Sequence, residues 1–314
     1  VTKTSPFNRS KLRDIVFSHS GKETRIFCAF LFFLIFSLVQ NPVFAQTDLV
    51  TKGKYIIRAA GCLSCHTDKK GGGKEFAGGR ALPTPFGIFY SPNITGDVKT
   101  GIGSWSDKDF LAAVKSGIRP DGSHLFPVFP YTSYTLMTDQ DVLAIKAYLF
   151  SLSPVKQQNK THTVSAPFNW RWTVGFWKML FFDEREFTQD TAQSTEWNRG
   201  AYLVTGLAHC AECHTQRNQA GAIDKSMWMA GTQDGPEGDA APNITPAFST
   251  GIGWSLDQLS FFLKSGTKPD WERADGLMWE AVSDGYKHLS DEDLRAMAVY
   301  INSLPPIENY IIGY

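Results

Sequence analysis

The chain has 314 residues, 31 Lys and Arg against 31 Asp and Glu, and 13% aromatic side chains. The length suits two ordinary domains, or one domain and a processed segment. Zero net charge excludes a general nucleic-acid binder, which needs a basic excess to meet phosphates, and 42% hydrophobic against 20% charged residues excludes a disordered chain. Five cysteines are too few for a disulfide-dense scaffold. Their positions carry the information.

The first feature in chain order is an apolar run from Ile26 to Val39, broken only by Ser37, with Lys22 and Arg25 before it and Asn41-Pro42-Val43-Phe44-Ala45 after it. Basic residues, a short apolar core and a closing small residue predict a secretory signal over residues 1–45, cleaved after Ala45 and directing the chain to the periplasm. A spanning helix wants about 20 apolar residues, which leaves a retained anchor as the alternative. Without the segment, the chain carries 25 basic and 29 acidic side chains and four cysteines.

A short amphipathic helix, with Tyr55, Ile56 and Ala59 on its apolar face, then leads into Cys62-Leu63-Ser64-Cys65-His66. The same arrangement returns as Tyr202, Leu203 and Leu207 before Cys210-Ala211-Glu212-Cys213-His214. Two thiols three positions apart can add to the two vinyl groups on one edge of a haem. The His that follows then falls beneath the macrocycle and offers a ring nitrogen to iron. Zinc would leave that His unexplained twice, and structural zinc joins nearby pairs. A thioredoxin-like pair needs no such His and wants a βαβ setting. Two local disulfides are the remaining competitor. The spacing predicts two covalently attached haem c groups, on Cys62 and Cys65 and on Cys210 and Cys213, with His66 and His214 as iron ligands.

The rest of each unit repeats too. Pro92-Asn93-Ile94-Thr95 recurs as Pro242-Asn243-Ile244-Thr245, and Thr100 to Gly103 as Thr250 to Gly253, followed by Trp105 and Trp254. A middle helix opens at Ser106 and stops at Gly117, and Lys264-Ser265-Gly266 matches that stop. A last helix opens at Thr138 or Ser290 with an acid three positions on, predicting a capping box, and Pro154 or Pro305 follows it. Strand signals are weak. The expected fold is mainly α: two tandem haem-wrapped helical domains, at 46–154 and 198–314, in which the macrocycle supplies core that so short a chain lacks. Between them, residues 155–197 form an aromatic-rich connector, with Phe168, Trp170, Trp172, Phe176 and Trp177 among its members. Without the basic face of an interfacial helix, it reads as a clasp buried between the units. A docking face for a membrane or a partner dehydrogenase is the competing reading.

These motifs, with Pro85-Phe86-Gly87, Asp121-Gly122-Ser123-His124 and Pro130-Tyr131, resemble dihaem and trihaem cytochrome c proteins. Those serve as electron-transfer subunits of periplasmic alcohol, gluconate and aldehyde dehydrogenases, and the trihaem subunits carry a third signature that this chain lacks. The resemblance places a ligand Met at the slot of Met278, within Leu277-Met278-Trp279-Glu280. In the first unit the family's Pro-x-Met-Pro-Tyr string is Pro127-Val128-Phe129-Pro130-Tyr131, and phenylalanine cannot ligate iron. Met137, the sole thioether of residues 46–155, is then the expected sixth ligand there. His124 is the runner-up, with Tyr131 and Tyr134 behind it. Asn93, Asn243 and Arg80 are read as either haem-propionate contacts or ordinary structural residues.

Two functions fit. One is periplasmic electron transfer through two six-coordinate haems, relaying electrons from a donor dehydrogenase to an acceptor cytochrome or terminal oxidase. No nucleic acid is involved, and a membrane is met only through a partner or an uncleaved signal. The other is a dihaem oxidoreductase, peroxidase-like or thiosulfate-oxidising, with one open iron, which Phe129 alone favours.

Overall fold

The computed structural model describes residues 47–313; the apolar run and the cleavage site read from the sequence lie outside them. Among the described residues no helix is long and apolar enough to cross a membrane. Helix α1 (residues 47–59) buries Gly53, Ile56, Ile57 and Ala59 and leads into the one-turn helix α2 (Cys62–Cys65). A β-carbon on Gly53 would stand 1.9 Å from the Ala144 carbonyl oxygen on α5 (Asp139–Ser151). Only a residue without one lets the two helices cross so closely. The second repeat crosses α7 (Thr195–Tyr202) over α11 (Asp291–Asn302) the same way, with Gly200 against Ala296, again at 1.9 Å.

The middle helices start and stop where the sequence places them. Ser106 and Asp109 form a reciprocal capping box on α3 (Asp107–Leu111), which runs on as a π-helical turn (Ala112–Ser116) to Gly117 at φ +60°. Ser255 and Gln258 do so for α9 (Leu256–Ser265), closed by Gly266 at φ +70°.

The last helices depart from expectation. Thr138 and Ser290 accept the amides of Asp141 and Asp293, but neither acid reaches back to complete its box. A tyrosine from the opposite repeat enters instead. Tyr202 Oη accepts the Thr138 amide at 3.2 Å and donates to Asp141 Oδ2 at 2.5 Å. Tyr55 Oη accepts the Ser290 amide at 3.1 Å and donates to Asp293 Oδ2 at 2.7 Å. Lys52 pairs with Asp141, and Arg199 grips Asp293 with two nitrogens. The contact is reciprocal, residue for equivalent residue, which is the mark of an approximate two-fold between repeats. From Leu49 onward both repeats belong to one unit, and their apolar residues merge into one buried cluster that includes Ile57, Leu149, Leu203 and Ile301.

The weak strand signals hide a small antiparallel sheet in the first repeat. β1 (Ala81–Thr84) pairs with β2 (Gly87–Tyr90), and β2 with β3 (Thr163–Val164) of the connector. The strands are too short to show an alternating pattern.

The connector corrects the expected clasp. Helix α6 (Thr173–Phe181) buries only Val174 and Lys178, one turn apart. Lys178 Nζ donates to the Ser116 and Gly117 carbonyls at 2.5 and 2.9 Å and lies over the Tyr131 ring. Trp172, Phe176, Met179 and Leu180 turn outward, with Trp172 61% and Met179 81% exposed. With one turn of α6 committed to the first repeat, its other face stays exposed among the described residues. Trp177 reaches the second repeat through a hydrogen bond to the Ala220 carbonyl at 2.9 Å, and Phe187 packs its ring 5.5 Å from that of Tyr202.

Candidate haem sites

Each signature opens as a single helical turn, which stacks its two cysteines on one side. Cys62, Cys210 and Cys213 are half-buried free thiols, and Cys65 is exposed. Burial pushes Cys62, Cys210 and Cys213 up to about 12, and Cys65 upward too, so all four are neutral thiols. A zinc site would gather its ligands in one place, and among the described residues no three His, Cys, Asp or Glu side chains converge in that way.

The histidines carry the clearest signal. His66 Nδ1 donates to the Pro92 carbonyl at 2.8 Å, and His214 Nδ1 donates to the Pro242 carbonyl at 2.9 Å. Burial lowers the basicity of both rings while the carbonyl opposes it, so each is a neutral imidazole. Its proton is held on Nδ1, and Nε2 is left as a lone-pair donor. That is the outer-shell arrangement of an iron-ligating histidine. The repeated Pro-Asn-Ile-Thr string therefore holds each signature histidine through its proline carbonyl, a role that only the recurrence of the string hints at. The paired thiols, oriented imidazoles and surrounding apolar cluster fit a covalent haem in each repeat.

Asn93 and Asn243 turn out to be braces. Asn93 Oδ1 accepts the Thr95 amide at 2.9 Å, while its Nδ2 donates to the Val155 carbonyl at 2.7 Å; Asn243 does the same with Thr245 and Ile307. They pin the strand that leaves each last helix beneath the loop that supports the histidine. Arg80 pairs across repeats with Glu237 at 2.9 Å and with Glu280, and donates to the Ser64 carbonyl at 2.9 Å.

The two signatures also dock on opposite repeats. Ser64 Oγ donates to Asp284 Oδ2 at 2.9 Å. Glu212, the equivalent position, accepts from Thr132 and Ser133 hydroxyls at 2.7 and 2.9 Å. Tyr134 Oη donates to the Ala60 carbonyl at 2.5 Å, and Tyr286 Oη to that of Ala208 at 3.3 Å. The two attachment segments thus lie side by side at the repeat boundary.

The candidate sixth ligands stand in different surroundings. Met278 lies on α10 (Gly276–Glu280), half-buried against the main apolar cluster, and Glu280 of the same helix is anchored by Arg80. Met137 is enclosed by protein on every side at 0% exposure. Its equivalent in the second repeat is Leu289, at 1%, which has no atom to offer iron. Met229 and Met297 share that pattern, being equivalent to Phe76 and Ile145 and fully buried. His124 turns to the connector: its Nε2 stands 3.1 Å from where a β-carbon on Gly175 of α6 would be, and Arg171 donates to its carbonyl. Phe129 packs on the main cluster with its ring 5.5 Å from that of Tyr134.

A cytochrome c family model matches residues 50–153 and again residues 198–305. The chain is 42% identical over 267 residues to a diheme cytochrome c-type protein of Cereibacter sphaeroides, covering 83% of this chain and 88% of the relative. It is 39% identical over 286 residues to the cytochrome c subunit of an alcohol dehydrogenase (quinone) of Gluconacetobacter polyoxogenes, covering 87% and 60%. Over 268 residues it is 39% identical to the cytochrome subunit of a fructose dehydrogenase of Gluconobacter japonicus, covering 84% and 54%. It therefore spans most of the first relative and less than two thirds of the two dehydrogenase subunits. Two matching domains, two haem attachment signatures and a mainly helical fold lead to one conclusion: the chain belongs to the cytochrome c family, as an electron-transfer protein with two covalently bound haem c groups.

Proposed function

We propose that this cytochrome works in the periplasm, passing single electrons from a dehydrogenase to a further cytochrome or an oxidase. In this reading residues 1–45 are removed on export, residues 46–154 and 198–314 each hold one haem, and residues 155–197 connect them. Cys62 and Cys65 carry the first haem and Cys210 and Cys213 the second, with His66 and His214 on the irons and Met278 opposite His214. The haems supply the one-electron couple. The chain holds the imidazoles neutral and oriented through Pro92 and Pro242 and encloses the sites in apolar side chains.

The observation that carries the reading is the doubled signature with its doubled proline-carbonyl brace. The dehydrogenase partner is supported by relatives named as cytochrome subunits of alcohol, fructose and gluconate dehydrogenases. Opposite His66 we keep Met137, buried at 0% exposure, as the ligand, with His124 as the runner-up.

The test is to fractionate cells expressing the chain and to follow haem reduction in the purified holoprotein. Recovery in the periplasm, with reduction by substrate only when a dehydrogenase is added, is the expected result. Cytoplasmic recovery, or substrate oxidation by the cytochrome alone, overturns the reading.

A further inference from the structure

His209 stands directly before Cys210, where the first repeat has Gly61 directly before Cys62. Gly61 has φ +64°, and His209, at φ +42°, shares this left-handed backbone although it carries a side chain. Side chains disfavour that conformation. A residue that persists in it, where its repeat partner is glycine, points to a use for the side chain.

The imidazole is held at one nitrogen and by one ring. Its Nδ1 donates to the Leu207 carbonyl at 2.9 Å, and its ring meets that of Tyr134 edge-on, with centroids 5.3 Å apart. Its Cε1 lies 3.7 Å from where a β-carbon on Gly61 would stand, an ordinary van der Waals separation. Tyr134 and Gly61 both belong to the first repeat. The ring therefore reaches from the second attachment segment into the first. Positions 61 and 209 are equivalent in the two repeats and stand close to each other across the approximate two-fold.

We propose that His209 is a positioning residue for electron exchange between the two haems, filling the gap between the segments that attach them. From the first attachment segment the route runs through the Ala60 carbonyl, the 2.5 Å hydrogen bond to it from Tyr134 Oη, the ring contact between Tyr134 and His209, and one peptide from His209 to Cys210. Electronic coupling falls steeply across space that no atom fills, and the ring fills it. One electron leaves the reduced haem and enters the oxidised one. The imidazole gains and loses neither electron nor proton. The proposal rests on the two-haem identity and is independent of which partners load and unload the protein.

The test uses the holoprotein and two variants, His209→Gly and His209→Asn. Glycine accepts the left-handed backbone outright, and asparagine tolerates it while keeping a shorter planar group near Gly61. One electron is injected by rapid photoreduction and its redistribution between haems followed optically. Both midpoint potentials, haem content and the thermal midpoint are measured alongside. The expected result is a several-fold slower inter-haem rate in His209→Gly, partly recovered in His209→Asn, with potentials and haem content unchanged. An unchanged rate in His209→Gly overturns the proposal. A slower rate that follows a changed potential difference overturns it as well, because the residue would then act through driving force and not through contact.

Discussion

Tyr202 completes the N-terminal cap of a helix in the other repeat: its hydroxyl sits between the Thr138 amide and the Asp141 carboxylate, 3.2 and 2.5 Å away. Tyr55 does the same for Ser290 and Asp293. Each hydroxyl satisfies a helix-end amide and reaches a carboxylate of the opposite repeat. Tyr55→Phe and Tyr202→Phe should each lower stability by about 1–3 kcal/mol, since each leaves a carboxylate short of a donor. Arg199 links the two exchanges, bonding Asp293 and lying over the Tyr202 ring, so the double variant should depart from the sum of the single losses. Chemical denaturation of the four proteins checks this.

Asp293 makes the same junction sensitive to acid. Burial pushes its carboxyl up, but hydrogen bonds from Arg199 and Tyr55 and the Arg199 charge outweigh that and hold it below the usual carboxylate range. A folded pKa below the unfolded one stabilises the fold above the unfolded value and ceases to do so as pH falls through the folded value. The loss should begin near about pH 4, where a free carboxyl titrates. Asp293→Asn should be less stable at neutral pH by about 1–3 kcal/mol and should lose less stability than the parent on acidification. Thermal midpoints across that range, read for both proteins, test the sign.

Gly53 and Gly200 mark the tightest helix crossings. Alanine at either would bring its β-carbon to 1.9 Å from a backbone carbonyl oxygen, which no side-chain rotation relieves. Gly53→Ala and Gly200→Ala should therefore cost about 1–3 kcal/mol or more, although alanine is the better helix former. A neutral or stabilised variant would mean that the crossings relax.

Signals that lie within a few residues of each other were legible in the sequence. The two attachment signatures, the cap at Ser106 and the stops at Gly117 and Gly266 all reappear in the structure. What crosses the two-fold was hidden. Asp141 and Asp293 read as local capping acids because their tyrosine partners lie 61 and 238 residues away in sequence. Arg80, read as a propionate contact or a surface residue, is spent on Glu237 and Glu280 of the other repeat. The aromatic connector was misread because composition records hydrophobicity and not direction. Helix α6 turns one narrow stripe inward and the rest outward.

That stripe yields a contrast. Trp172→Ser and Met179→Ser remove side chains that project from the fold, and each should change stability by no more than about 0.5 kcal/mol. Val174→Ala, on the buried side, should cost about 0.5–3 kcal/mol. Similar losses at all three positions would show the outward face to be covered in solution.

The two methionines in question divide by what surrounds them. Met137 shares its position with Leu289, and both are buried in the core. Met137→Ala should cost about 2–5 kcal/mol and, with Met137 as the proposed ligand, change the spectrum of the first haem alone and lower its potential. Met278 is half-buried on a helix that Arg80 secures through Glu280. Met278→Ala should change the spectrum of the second haem alone and lower its potential, because a thioether stabilises the reduced iron. The unaltered protein should show two methionine-to-iron charge-transfer bands, one lost with Met278→Ala and the other with Met137→Ala. A single band, untouched by Met137→Ala, would take Met137 off the iron and leave it a packing residue like Leu289.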